Sequence, residues 1–340
     1  MSSTKIKSVT PISFPWQTQD PFLFCAYHKD KYPSGNLEMA PTASLAGRNL
    51  GQDFDPSQDW RMYHGRTVPG FPQHPHRGFE TVSIVKEGLV DHADSLGAAG
   101  RFGNGDVQWM TAGKGVLHSE MFPLLSDQEE NPLEMFQIWL NLPKKKKFVE
   151  PHFKMLWADE IPIYQHTDSR GLQTTIDIIA GELSGISAPA PPPASWASDP
   201  TNNLQIWTIK MEPGASWTLE ATDNLVHKTI YFYRGDQLDV AGSKVNVNHI
   251  IDLRPDEKIE FLNGSTESRL LFLQGKPINE PVAQHGPFVM NTQAEIQEAF
   301  QDFRRTQFGG WPWPKNDQVH DRERSRFALH ADGKEEIKDA

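Results

Sequence analysis

Apolar runs of strand length, each closed by a turn signal, constrain this chain more than any other feature. Thr81-Val-Ser-Ile-Val-Lys-Glu-Gly-Leu-Val90 is followed by a turn region at Asp94-Ser95-Leu96-Gly97, and Gly103-Asn-Gly-Asp106 leads into Val107-Gln-Trp-Met110. Leu133 to Leu142 alternates and stops at Pro143. A second set comprises Thr174–Ile179, Leu204–Ile209, Lys228–Tyr233, Lys258–Leu262 and Arg269–Leu273. Short runs at this spacing suit the strands of a sandwich or barrel. Glycine and proline, 25 and 26 of 340 residues, supply the tight turns that such strands need. The expectation is an all-β protein.

The period changes near the end. Thr292 followed by Glu295 makes a capping box, and Ile296, Phe300 and Phe303 share one helical face, so a helix is expected over about 293–306, stopped by Gly309-Gly310. The division read from the sequence is 1–157, 158–292, and a helix with a charged tail over 293–340, the tail beyond Trp311-Pro-Trp-Pro314 being loosely held. Lys144 to Lys147 read as a solvated loop, and Ala188 to Ala194 as a proline-rich surface loop. Glu80–Gly88 and Lys228–Gly235 align with a gap of one residue, as if one strand-turn unit had been used twice; no His-x-His precedes the second copy.

A net charge of −11 opposes direct contact with nucleic acid, which depends on neutralising phosphates. The single cysteine, Cys25, forms no internal disulfide, the first residues lack a secretory apolar segment, and no run approaches the ~20 apolar residues of a membrane span. A cytoplasmic protein away from membranes is expected, and a monomer, since two halves can cover each other's apolar faces.

Two short motifs carry chemistry. His74-Pro75-His76 places two imidazoles on one face of an extended segment, and His118-Ser119-Glu120 adds a third imidazole and a carboxylate. Alone each is weak: with 13 histidines, chance supplies about 0.5 His-x-His and about 1.7 His-x-acid pairs. Four further His-x-acid pairs, His28/Asp30, His92/Asp94, His166/Asp168 and His330/Asp332, read as ordinary surface or supporting pairs. Glu80 shares strand parity with His74 and His76 and is the alternative carboxylate; if it is buried beside a metal it needs a partner. A structural zinc is disfavoured because no cysteine joins the set.

The surrounding residues separate His118/Glu120 from the other pairs. Gly70-x3-His74-x-His76-x3-Glu80 followed by Gly88 resembles the first cupin motif, and Gly113-x-Gly115-x2-His118 the second. Pro72–Val82, Gly105–Met121 and Gln284–Thr292 resemble signatures of the pirin family over roughly residues 20 to 305. That resemblance implies a bicupin of two antiparallel β-barrel halves, the second without ligands. It also implies iron at the positions of His74, His76, His118 and Glu120. Fe(II) is the expected ion, with Mn, Ni, Cu and Zn as alternatives.

Relatives of this kind imply two functions. One is a quercetin 2,3-dioxygenase, in which a small planar aromatic substrate and O₂ meet at the metal and Glu120 acts as ligand and general base. The other is a metal- or redox-sensing regulator that binds a transcription factor or a metabolic enzyme. Phe71, Phe79, Trp109 and Met121 are candidate pocket residues, with core packing the commoner role for each, and His64, His92 and Gln137 are candidate neighbours for which core or loop roles are the commoner. His285 opens a motif that could equally serve packing between the halves.

Overall fold

The computed structural model describes residues 5–338. The chain divides into two compact units, each drawn from two stretches of sequence: Met1–Cys25 with Asp159–Asn279, and Ala26–Ala158 with Glu280–Ala340. The contiguous division at 157 and 292 therefore follows chain order but not packing. Strand pairing is the reason. Ile6–Pro11 hydrogen-bonds to His249–Leu253, and Arg326–Leu329 to Ala99–Gly103, so each chain end covers a sheet edge that would otherwise expose unpaired backbone groups.

In the first unit a seven-stranded sheet runs from Ile6–Pro11 at one edge to Ile163–Thr167 at the other, and a four-stranded sheet is built from Ser216–Leu219, Gln237–Val240, Ser243–Asn246 and Ile259–Asn263. Alternate residues of both sheets, among them Trp207, Ile230, Phe272, Trp217 and Phe261, fill one continuous apolar core.

The second unit holds β1 (Phe22–Tyr32) from Ala26 onward, β2 (Gly70–His76), β3 (Phe79–Glu87), β4 (Leu89–Asp94), β5 (Ala99–Gly103), β6 (Val107–Thr111), β7 (Val116–Met121), β8 (Asn131–Asn141) and β9 (His152–Leu156). Late in the chain come α1 (Gln293–Thr306), β10 (Arg326–Leu329) and β11 (Glu335–Lys338). One sheet has the order β9-β6-β3-β8-β1, the other β11-β10-β5-β4-β7-β2. Among the described residues no sheet closes on itself, so each unit is a two-sheet cupin-like sandwich and not the closed barrel expected from the sequence. The edge strands of one sheet pair with no strand of the other.

Three local expectations change. Lys147 is not part of a solvated loop: it is 1 % exposed, and its ammonium donates to the Gly78 and Val289 carbonyls and to Asn141 Oδ1. Helix α1 has the expected capping box, with Thr292 Oγ1 accepting from Glu295 N and Glu295 Oε2 from Thr292 N. Its span, Gln293–Thr306, is the one expected, and only the stop differs: Gln307 turns left-handed at φ 48° and donates its N–H to Phe303 O ahead of the glycines. The charged tail is docked, not loose: β10 extends a sheet, and Phe327 and Ala328 are fully buried.

Candidate metal centre

Register brings the two sequence motifs together. β2 pairs antiparallel with β7 so that His74 faces His118 and Phe71 faces Glu120, with an irregularity between Phe71 and His74. Gly70 permits the approach: its φ is 128°, and a Cβ there would lie 2.5 Å from the Glu120 carbonyl oxygen. Gly115 serves similarly, since a Cβ would meet the Phe308 ring at 2.7 Å.

His74, His76 and His118 each present a ring nitrogen within 4.8 Å of the others, the one such group of candidate ligands among the described residues. His74 Nδ1 lies 2.9 Å from the Pro72 carbonyl and His76 Nδ1 lies 3.4 Å from that of Pro287. Donation to those carbonyls places the proton on Nδ1 and leaves Nε2 as a lone pair. The two Nε2 atoms are 3.1 Å apart, a separation that suits two lone pairs sharing one cation. His118 is wholly buried, and neither of its ring nitrogens has a hydrogen-bond partner, a cost of about 1–3 kcal/mol for each, of which ligation would remove one. Burial, and then the repulsion between neighbouring imidazolium forms, hold His76 and His118 well below the ordinary histidine range. Burial lowers His74 as well, against the opposing pull of Glu120. Neutral imidazoles with inward lone pairs are what a divalent ion requires, and the cluster fits one.

Glu120 sits beside the triad, its Oε2 3.8 Å from His118 Nε2. Ser83 Oγ donates to Oε1 at 3.0 Å and Gln137 Nε2 to Oε2 at 2.7 Å, so the opposite sheet holds the carboxylate in place. Gln137 was a candidate in the sequence; Ser83 was not, although its parity with Phe79 and Thr81 on β3 marks the inward face. Glu80 has the other parity. It is buried, accepts from Thr111 Oγ1 at 2.6 Å, and so has the partner its burial demands, away from the side of the strand that reaches Glu120.

The candidate pocket residues divide by the same alternation. Phe71 is half-buried with its ring 6.4 Å from that of His74, and Phe79 lies 5.0 Å from His76 and stacks at 4.0 Å on Trp139. Trp109 pairs with Val82 on the outward parity of β3, and Met121 packs with Ala40, Val68 and Val319; neither lines the site. His92 faces Glu120 across β4 and β7, its ring 5.6 Å from His118, with Nδ1 unpartnered. Exposed His64 bonds the Gly51 carbonyl, on the far side of Phe71. His285 packs on Phe300 of α1.

The other His-x-acid pairs hold no such cluster. His28 and Asp30 are buried and joined through the Tyr63 hydroxyl, which donates to Asp30 Oδ2 at 2.8 Å. Burial pushes His28 down to about 3, with Arg61 acting in the same direction. The motif Gln284–Thr292 now has a physical role. Pro287 supplies the acceptor for His76 and also accepts from Arg77 N, while Val289 N donates to Arg77 O beside it.

Two cupin-like units, one carrying a buried three-histidine cluster able to hold a divalent ion, define a bicupin metal-binding protein. Residues 13–140 match the family model described as Pirin, and residues 206–309 that described as Pirin C-terminal cupin domain. The chain belongs to the pirin family. It is 36% identical to human pirin over 268 residues, 77% of this chain and 86% of that one. It is 38% identical to Pirin-1 of Arabidopsis thaliana over 253 residues, 71% of this chain and 78% of that one. A crystal structure of quercetin 2,3-dioxygenase from Acinetobacter baumannii superposes with a TM-score of 0.70 at 28% identity, covering 90% of this chain and 98% of the other. No helix among the described residues is long and apolar enough to cross a membrane.

Proposed function

We propose that this protein is a metal-dependent dioxygenase of the quercetin 2,3-dioxygenase type, with Fe(II) held by His74, His76, His118 and Glu120. The observation that carries the reading is the convergence of three imidazoles, two of them buried, beside a carboxylate whose two oxygens are each anchored from the opposite sheet. Two donors about 2.1 Å from one ion stand about 3.0 Å apart at a right angle and about 3.4 Å at a tetrahedral one. At 3.1 Å the Nε2 atoms of His74 and His76 fall between those two separations, so both could reach one such ion. Similarity to the Acinetobacter enzyme supports the flavonol as substrate class.

When bound, the metal supplies Lewis acidity toward an ionisable substrate hydroxyl and redox chemistry toward dioxygen. The chain's own residues do the rest. Glu120 takes the proton of the flavonol 3-hydroxyl on binding, and Ser83 and Gln137 fix the direction from which it does so. Half-buried Phe71, next to His74, offers an apolar face to a planar ring, and the Phe79–Trp139 stack backs His76.

The test is anaerobic purification with metal analysis, then addition of quercetin and oxygen while flavonol absorbance and carbon monoxide are followed. Iron-dependent turnover is expected, absent in His118→Ala and reduced about 10–100-fold in Gln137→Leu. Iron bound stoichiometrically without turnover of any flavonol would move the function to metal-dependent binding of a regulatory partner.

A further inference from the structure

The segment beyond residue 310 lies outside both matched family regions, yet it bonds to the backbone of the residues flanking the proposed ligands. Asn316 O accepts from Gln73 N at 2.8 Å, one residue before His74. Trp313 Nε1 donates to Asp94 O at 2.8 Å, and Asp94 faces His118 across the sheet. His320 Nε2 contacts His92 O at 2.8 Å, and His92 faces Glu120. Three of the four ligand positions are thus one residue or one strand pairing away from a bond to this segment.

A single buried guanidinium locks the segment in place. Arg101 is 1 % exposed, forks onto Asp91 at 2.7 and 2.8 Å, and donates its remaining N–H groups to the carbonyls of His320, Asp321, Arg322 and Arg324. Asp91 Oδ2 also accepts from His320 N at 2.8 Å. Planar bidentate pairing with every donor satisfied is the arrangement in which a buried charge is retained. Val319 packs on Met121 of β7, and Ala328 enters the core cluster with Phe102 and Phe153.

We propose that residues 313–329 are a working part of the metal centre. They form a brace across the outer side of β2, β7, β4 and β5, with Arg101, Asp91 and His320 as positioning residues that keep His74, His118 and Glu120 convergent. The inference rests on the metal-centre reading above. Metal ligands must be held to within about 0.5 Å, and here the strands carrying them are fixed from outside by this segment. Coupling between two sites is reciprocal, so a brace that favours metal binding must itself be stabilised by metal.

The experiment uses the full-length protein with Co(II) as the probe. Amide hydrogen exchange is followed with and without Co(II), and Co(II) is titrated by its ligand-field absorption into wild type, Arg101→Met and His320→Phe. Co(II) should slow exchange of amides in 316–329 by about tenfold or more. Each variant should weaken Co(II) binding by about 10–100-fold and alter its spectrum, since ligand orientation and not only folding has changed. Unaltered exchange with Co(II) bound, or wild-type affinity and spectrum in a folded variant, overturns the brace. If Arg101→Met fails to fold, His320→Phe and the exchange measurement decide. Absence of Co(II) binding by wild type overturns the metal-centre reading and the brace with it, an outcome distinct from binding without protection.

Discussion

The two units are the same kind of sandwich filled in opposite ways. Between the sheets of the first, Ile176, Trp207, Ile230, Phe232, Phe261, Phe272 and their neighbours form a wholly apolar core. In the second, the inward faces carry His74, His76, His118, Glu120, Ser83 and Gln137, and the apolar cluster around Val90, Phe102, Met135 and Phe153 supplies the packing. The fold therefore does not require a site, and the site is a local replacement of packing by ligands. Each buried imidazole forgoes apolar contacts and hydration, and metal binding to the folded state alone returns part of that cost.

That comparison can be broken or sharpened by substitution. The largest effect expected is at His118: His118→Ala should abolish stoichiometric Co(II) or Fe(II) binding while leaving the folded structure in place, as read by metal analysis and circular dichroism. Next is Phe272→Ala in the first unit, expected to cost about 3–5 kcal/mol in denaturant unfolding without altering metal stoichiometry. A change in metal binding there would mean that the two interiors are not independent.

Each unit also buries one lysine, Lys147 and Lys228, and burial pushes both down to about 8. Below pH 8 the folded and unfolded states both hold the proton, and the cost of burying the ammonium is present in full. Between about 8 and the unfolded value near 10.4 the unfolded state holds more protons, so stability rises with pH. Lys147→Met should cost about 2 kcal/mol at pH 7 by leaving carbonyls unpaired, and should lose that rise, as measured by urea unfolding across pH 7.5–10.5. Lys228→Met should lose the same rise in the other unit. The smallest effect is Thr292→Ala, about 1 kcal/mol from loss of the capping box, with metal affinity unchanged.

Much of this was legible in residues. Alternation and turns gave the strands, Thr292 and Glu295 gave the helix start, and the paired spacings of His74/His76 and His118/Glu120 pointed to one centre. What was not legible depends on partners far away in the chain. Lys147 looks like its three solvated neighbours because nothing local reveals that Gly78 and Val289 offer it carbonyls. Proximity left Trp109 and Met121 open to either core or pocket, with core the commoner role, and strand parity turns both away from the cluster. The tail looked loose because its apolar residues are few, and Arg101 was never a candidate for anchoring it.

The sequence by itself determined which residues have the chemistry for a metal and which lie in strands, because ligand type and period-two alternation are local properties. Only the tertiary structure decided that Ser83 and Gln137 hold Glu120, that Pro287 orients His76, and that the last strands belong to the sheet carrying His74, His76 and His118. Hydrogen bonds to backbone carbonyls and edge-strand pairing join positions up to some two hundred residues apart and leave no pattern in the residues that make them.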